Sequence, residues 1–95
     1  MSGCTFPPCG EIYNKSNRSV QIRWDDNNSG WKYGTVAPGG HVGGWFNDGR
    51  DIDGWNAPTG CQSAYSDHPG AIYYVYGGWQ KIASNQTVTI HWIKC

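Results

Sequence analysis

The chain is short of charge. Its seven basic and seven acidic side chains cancel to a net charge of zero and make up only 15% of 95 residues. Nothing in that balance pulls the chain towards nucleic acid or anionic membranes, so neither is expected as a partner. Long apolar runs are missing as well: nothing approaches the roughly 18 consecutive apolar residues of a membrane helix. No basic start followed by an apolar core marks an export signal, and Met1 reads as an initiator placed on a mature sequence. Nor does any stretch of about ten residues carry a helical apolar period, and no repeat or low-complexity segment interrupts the chain. Residues 1–95 therefore read as a single small β domain. A domain of this size buries only about 60–65% of its unfolded surface and sits near the margin of independent stability.

Cysteine is what it has instead. Cys4, Cys9, Cys61 and Cys95 form an even set in a short chain, which points to two disulfides and an oxidising, secreted setting. A zinc site would need two close Cys or His pairs, and Cys61 and Cys95 stand alone. Residues 1–10 hold Pro7 and Pro8 and should run extended. In a polyproline conformation the five steps from Cys4 to Cys9 span roughly 15 Å, whereas a disulfide needs Cα atoms within about 7 Å. A cis X-Pro bond could close that ring; otherwise Cys4 and Cys9 each reach Cys61 or Cys95, the arrangement favoured here because it ties the tail to the sheet.

The rest of the chain reads as short strands between turns. Glu11 to Asn14, Ser19 to Trp24, Trp31 to Ala37, His41 to Phe46, Asp51 to Trp55, Ala71 to Tyr76, Trp79 to Ala83 and a last run through Trp92 all have β character. Residues 56–70 read as irregular. Seven or eight short strands with turns every eight to twelve residues predict an all-β, antiparallel sandwich of Ig-like or Greek-key type, or a compact barrel. Val20, Ile22 and Trp24 alternate on one face, and so do Val88, Ile90 and Trp92; these two triplets are expected to be core. Ile12, Val36, Val75, Ile82 and either Ile72 or Tyr73 complete it.

Few residues suggest chemistry. Asp51 and Asp53 before Gly54, with Asn47 and Asp48 upstream, resemble part of a calcium loop but lack the further ligands a full loop needs. Turn formation explains them as well. His41, His68 and His91 have no nucleophile near them in sequence, and the acids fall at strand ends, so no catalytic residue, cofactor or enzyme activity is expected. Four Asn-x-Ser/Thr triplets begin at Asn14, Asn17, Asn27 and Asn85 and carry no functional weight by themselves.

Aromatic rings are the strongest signal. Residues 31–55 place Trp31, Tyr33, Trp45, Phe46 and Trp55 among glycines and aspartates, a composition suited to presenting rings at a surface. Such rings stack on sugars or anchor protein interfaces. The expected function is a secreted, non-enzymatic binding module, monomeric on its own, that engages a polysaccharide or cell-wall glycan or another secreted protein. The alternatives are an inhibitor of a secreted hydrolase and a structural subunit of a secreted, toxin-type assembly. The expected contact residues are Trp31, Lys32, Tyr33, Trp45, Trp55 and Trp79. Because positions 31 and 33 of a strand face opposite to 32, the triplet acts together only if the hairpin bulges near Gly34. The stretch YYVYGGW at 73–79 is the second candidate face.

From Ser19 to Val42, SVQIRWDDNNSGWKYGTVAPGGHV resembles the second half of the small streptomycete proteinaceous α-amylase inhibitors, the tendamistat-like family. An alternating strand, an acidic hairpin loop ending in glycine and a returning strand that closes in Val36-Ala37-Pro38-Gly39 carry the likeness, over about a quarter of the chain. The resemblance implies a secreted two-disulfide β-sandwich that plugs an amylase cleft with a Trp-Arg-Tyr triplet, which Trp31-Lys32-Tyr33 matches by type. Here the triplet lies in the strand leading to the Ala37-Pro38-Gly39 turn, whereas the family carries its own in an earlier hairpin; the cysteines do not lie across the hairpins, and Lys32 lacks the planar fork of arginine.

Overall fold

The computed structural model describes residues 9–25, 30–43, 51–83 and 86–95. These residues form nine strands: β1 (Glu11–Asn14), β2 (Val20–Asp25), β3 (Trp31–Val36), β4 (His41–Gly43), β5 (Gly54–Ala57), β6 (Gln62–Ser66), β7 (Tyr73–Val75), β8 (Gly78–Lys81) and β9 (Thr87–Lys94). They build two sheets, one of five strands in the order β4-β1-β9-β6-β7 and one of four in the order β3-β2-β5-β8. The core lies between them: Ile12, Val88, Ile90 and Ile93 of the first sheet meet Val20, Ile22, Val36, Trp55 and Ala57 of the second.

This corrects the expected architecture in four respects. The sheets do not close into a barrel. They are not wholly antiparallel, because β1 runs parallel to β9, with Ile12 beside Val88 and Asn14 beside Ile90. The strand β6 falls in the stretch expected to be irregular; its sequence, QSAYS, carries too little apolar alternation to signal a strand, and pairing with β7 and β9 supplies what propensity does not. Finally, a disulfide joins Cys61 and Cys95 to each other, where the favoured arrangement had each of them reaching Cys4 or Cys9. Register explains this pairing. Gln62 lies opposite Lys94 on β6 and β9, so the next residues outward are Cys61 and Cys95, whose Cα atoms are 4.1 Å apart. With these two joined to each other, neither Cys4 nor Cys9 is tied to them. No cysteine among the described residues is free, and Cys4 lies outside those residues.

The core differs from expectation in a similar way. Trp55 is fully buried, together with Ile52 and Ile82. Trp92 is not core, because a β-bulge shifts the register of β9: Tyr65 pairs with Ile90 while its neighbour Ala64 pairs with Trp92. One extra residue reverses the alternation, so Val88, Ile90 and Ile93 point inward and Trp92 joins Tyr74 on the outer face, ring centroids 5.9 Å apart. Ile72 and Tyr73 are exposed.

Asn14 is the polar hub of this core. It is completely buried, and its side-chain amide donates to the Arg18 and Val36 carbonyls at 2.8 and 3.0 Å. Its Oδ1 accepts from the Ser16 N–H and hydroxyl at 3.0 and 2.6 Å. Four hydrogen bonds saturate the amide and join the β1–β2 turn to the end of β3.

Candidate functional site

Residues opposite one another in a sheet share a face. On the four-stranded sheet Tyr33 lies opposite Arg23, Arg23 opposite Gly54, and Gly54 opposite Lys81. One step along, Trp31 lies opposite Asp25, and in the other direction Asn56 lies opposite both Gln21 and Trp79. The intervening residues Val20 and Ile22 point into the core, so this set forms the outward face. Gly54 shapes it. A Cβ there would come within 3.3 Å of Arg23 Nε and 3.1 Å of the Gln80 carbonyl; without one, the Arg23 side chain passes over β5.

Arg23 consequently bridges the sheet. Its guanidinium carbon sits 4.3 Å from the Trp31 ring centre on one side and 4.4 Å from that of Trp79 on the other. Trp79 in turn meets Tyr33, centroids 5.9 Å apart. Trp31 and Tyr33 are 47% and 54% exposed. Two rings on one cation form a double cation–π contact, each half contributing on the order of 0.5–1 kcal/mol at an exposed site.

Beside this stack lies a cleft of about 320 Å³ lined by Arg23, Asp25, Trp31, Asp53 and Lys81. Its two carboxylates and two cations balance. Asp53 Oδ2 accepts the Asp25 backbone N–H at 3.0 Å. Burial raises the Asp53 pKa above its ordinary value, and the nearby Asp51 and Asp25 carboxylates add to the rise, against the lowering effect of that hydrogen bond. Arg23 Nε and Asp25 Oδ1 are buried without a hydrogen-bond partner among the described residues. They are a donor and an acceptor, each costly to leave unpaired.

The expected contact residues divide accordingly. Trp31, Tyr33 and Trp79 come together; Lys32 lies on the opposite side, paired with Trp24; Trp55 is a core residue; Trp45 lies outside the described residues. The β2–β3 register runs unbroken from Val20–Val36 to Asp25–Trp31, so no bulge at Gly34 unites 31, 32 and 33. Gly34 serves packing: a Cβ there would stand 3.2 Å from the Trp24 ring. The basic partner of the rings is Arg23, which follows the inward-facing Ile22 on β2 and lies opposite Tyr33.

The calcium candidates are otherwise engaged. Asp51 Oδ1 accepts the Gly10 N–H at 2.7 Å and Asp53 accepts that of Asp25; Asn47 and Asp48 lie outside the described residues, among which no group of three metal-ligating side chains occurs. One pair invisible in sequence is Ser66 Oγ and His91 Nε2, 3.0 Å apart on β6 and β9. Among the described residues no helix is long and apolar enough to cross a membrane.

The molecule is a small all-β domain with clustered and exposed aromatic side chains, an arrangement suited to surface binding. No family model, curated protein or solved structure matches the chain, the tendamistat-like inhibitors included.

Proposed function

We propose that the protein is a secreted, non-enzymatic binding module that holds a neutral glycan on the outward face of its four-stranded sheet. The observation that supports this is the charge-balanced cleft beside the Trp31–Arg23–Trp79 stack. An anionic ligand would meet Asp25 and Asp53 there, and a cationic one would meet Arg23 and Lys81. A sugar hydroxyl both donates and accepts, so it suits a wall offering donors and acceptors side by side. The exposed rings of Trp31 and Tyr33 provide apolar faces for sugar C–H groups.

The test is retention on insoluble neutral polysaccharides, with acidic and amino polysaccharides as controls, and quenching of tryptophan fluorescence by soluble oligosaccharides. Trp31→Ala, Tyr33→Ala and Arg23→Ala should each weaken retention while the far-ultraviolet circular dichroism stays that of the parent. Equal retention on charged and neutral glycans, or none on any, would overturn the reading.

A second reading is favoured by one observation: Arg23 stands in space among Trp31, Tyr33 and Trp79, the residue types that dominate protein-interface hot spots. In that case the partner is another secreted protein, a glycan hydrolase among the candidates. Loss of hydrolase activity on titration, reversed by Arg23→Ala, distinguishes it.

A further inference from the structure

We propose that the open edge of β7 is a seam between two copies of this chain, joined antiparallel about Tyr74. Among the described residues β7 pairs only with β6, so its other side offers unpaired backbone groups. Natural edges are guarded by lysine, proline or a bulge. This one is not: from Pro69 to Gln80 the sequence holds no charged residue. Ile72, Tyr74 and Tyr76 are 56%, 52% and 65% exposed.

The strand's own sequence names the occupant. In a two-fold interface the same patch must fit itself, and antiparallel pairing about Tyr74 sets Tyr74 against Tyr74, Tyr73 against Val75, and Ile72 against Tyr76. Every pair is aromatic–aromatic or aromatic–β-branched, the combinations that stabilise cross-strand contacts. Centring on Tyr73 or Val75 instead sets a tyrosine against Gly70 or Gly77, and an odd register sets outward residues against inward ones. With no charge on the strand, self-pairing meets no like-charge repulsion.

The size of the seam fixes its strength. Ile72, Tyr73, Tyr74 and Tyr76, each about half exposed, amount to roughly 400 Å² per copy, so the pair buries on the order of 800 Å², short of the roughly 1,200–2,000 Å² of stable complexes. The domain is then a monomer when dilute and a dimer only when concentrated, with Kd on the order of 0.1–1 mM. Because antiparallel edges are related by an axis perpendicular to the sheet, both copies turn their four-stranded sheets to the same side. Two Arg23 faces would meet one surface together, and a ligand polymer supplies the local concentration that a weak seam needs.

Sedimentation equilibrium from about 10 μM to about 1 mM is the test. The mass should rise from monomer towards dimer and stop there, and hydrogen exchange of the 73–75 amides should slow over the same range. Tyr74→Lys places two ammonium groups against each other on the axis and should weaken association at least tenfold, whereas Tyr74→Phe should preserve it. If Tyr74→Lys fails to fold, Ile72→Lys, at a more exposed position, takes its place. Monomer mass throughout, growth beyond dimer, or association unchanged in the lysine variant would overturn the proposal. The readout is mass in free solution, so it is decided separately from the glycan reading.

Discussion

Trp55 of the four-stranded sheet meets Tyr65 of the five-stranded sheet edge to face, with ring centroids 5.4 Å apart. This contact crosses the core and holds the two layers together through their largest buried side chain. Trp55→Ala should cost about 3–5 kcal/mol in denaturant unfolding. Tyr33→Ala, on the outward face, should stay within about 1 kcal/mol. Equal losses would mean that the outward rings are structural.

Asn14 provides a second contrast. Asn14→Ala takes the side-chain partner from the Val36 carbonyl and from the buried Ser16 N–H and should cost about 2–4 kcal/mol. The same burial governs modification. Expressed in a glycosylating host, the chain should carry no glycan at Asn14, whereas Asn17, which is exposed, stays accessible; peptide mass mapping reads both.

Reduction should be felt globally. The Cys61–Cys95 bond spans a sequence separation of 34 residues, and loop-closure entropy for that length corresponds to about 3–4 kcal/mol. A Cys61→Ser, Cys95→Ser double variant should lower the unfolding midpoint accordingly.

The Asp53 carboxyl should make stability depend on pH in an unusual direction. Its pKa is raised in the folded state, so the fold holds that proton more tightly than the unfolded chain does. Asp53's contribution is full below the ordinary aspartate range and is lost as the pH rises through the raised folded value. Asp53→Asn should therefore flatten the fall in melting temperature that sets in as the pH rises through the ordinary aspartate range. An unchanged profile would count against this assignment.

Alternation made the hairpin legible. Val20 and Ile22 inward with Gln21 and Arg23 outward is a local pattern, and the structure keeps it. The bulge in β9 was not legible, since an extra residue in a strand leaves no mark in composition, and it moved Trp92 to the surface. Trp55 was misplaced for a related reason. Its neighbourhood of glycine and aspartate reads as one that presents rings at a surface, and only pairing with Ile22 turns the ring inward. The site was half visible: Trp31, Tyr33 and Trp79 stand out as rings, but joining them through Arg23 depends on which strands are neighbours, and that is decided by the whole sheet.

Gly54 leaves a lane across β5, and Arg23 uses it to touch a ring on each rim of its sheet, Trp31 on β3 and Trp79 on β8. The rims are thereby mechanically coupled. A ligand that displaces one indole loosens the cation from the other, so the two tryptophans respond as one unit, and their substitutions should be non-additive in a double-mutant cycle. A methyl group placed at Gly54 would close the lane and uncouple them without altering any ring.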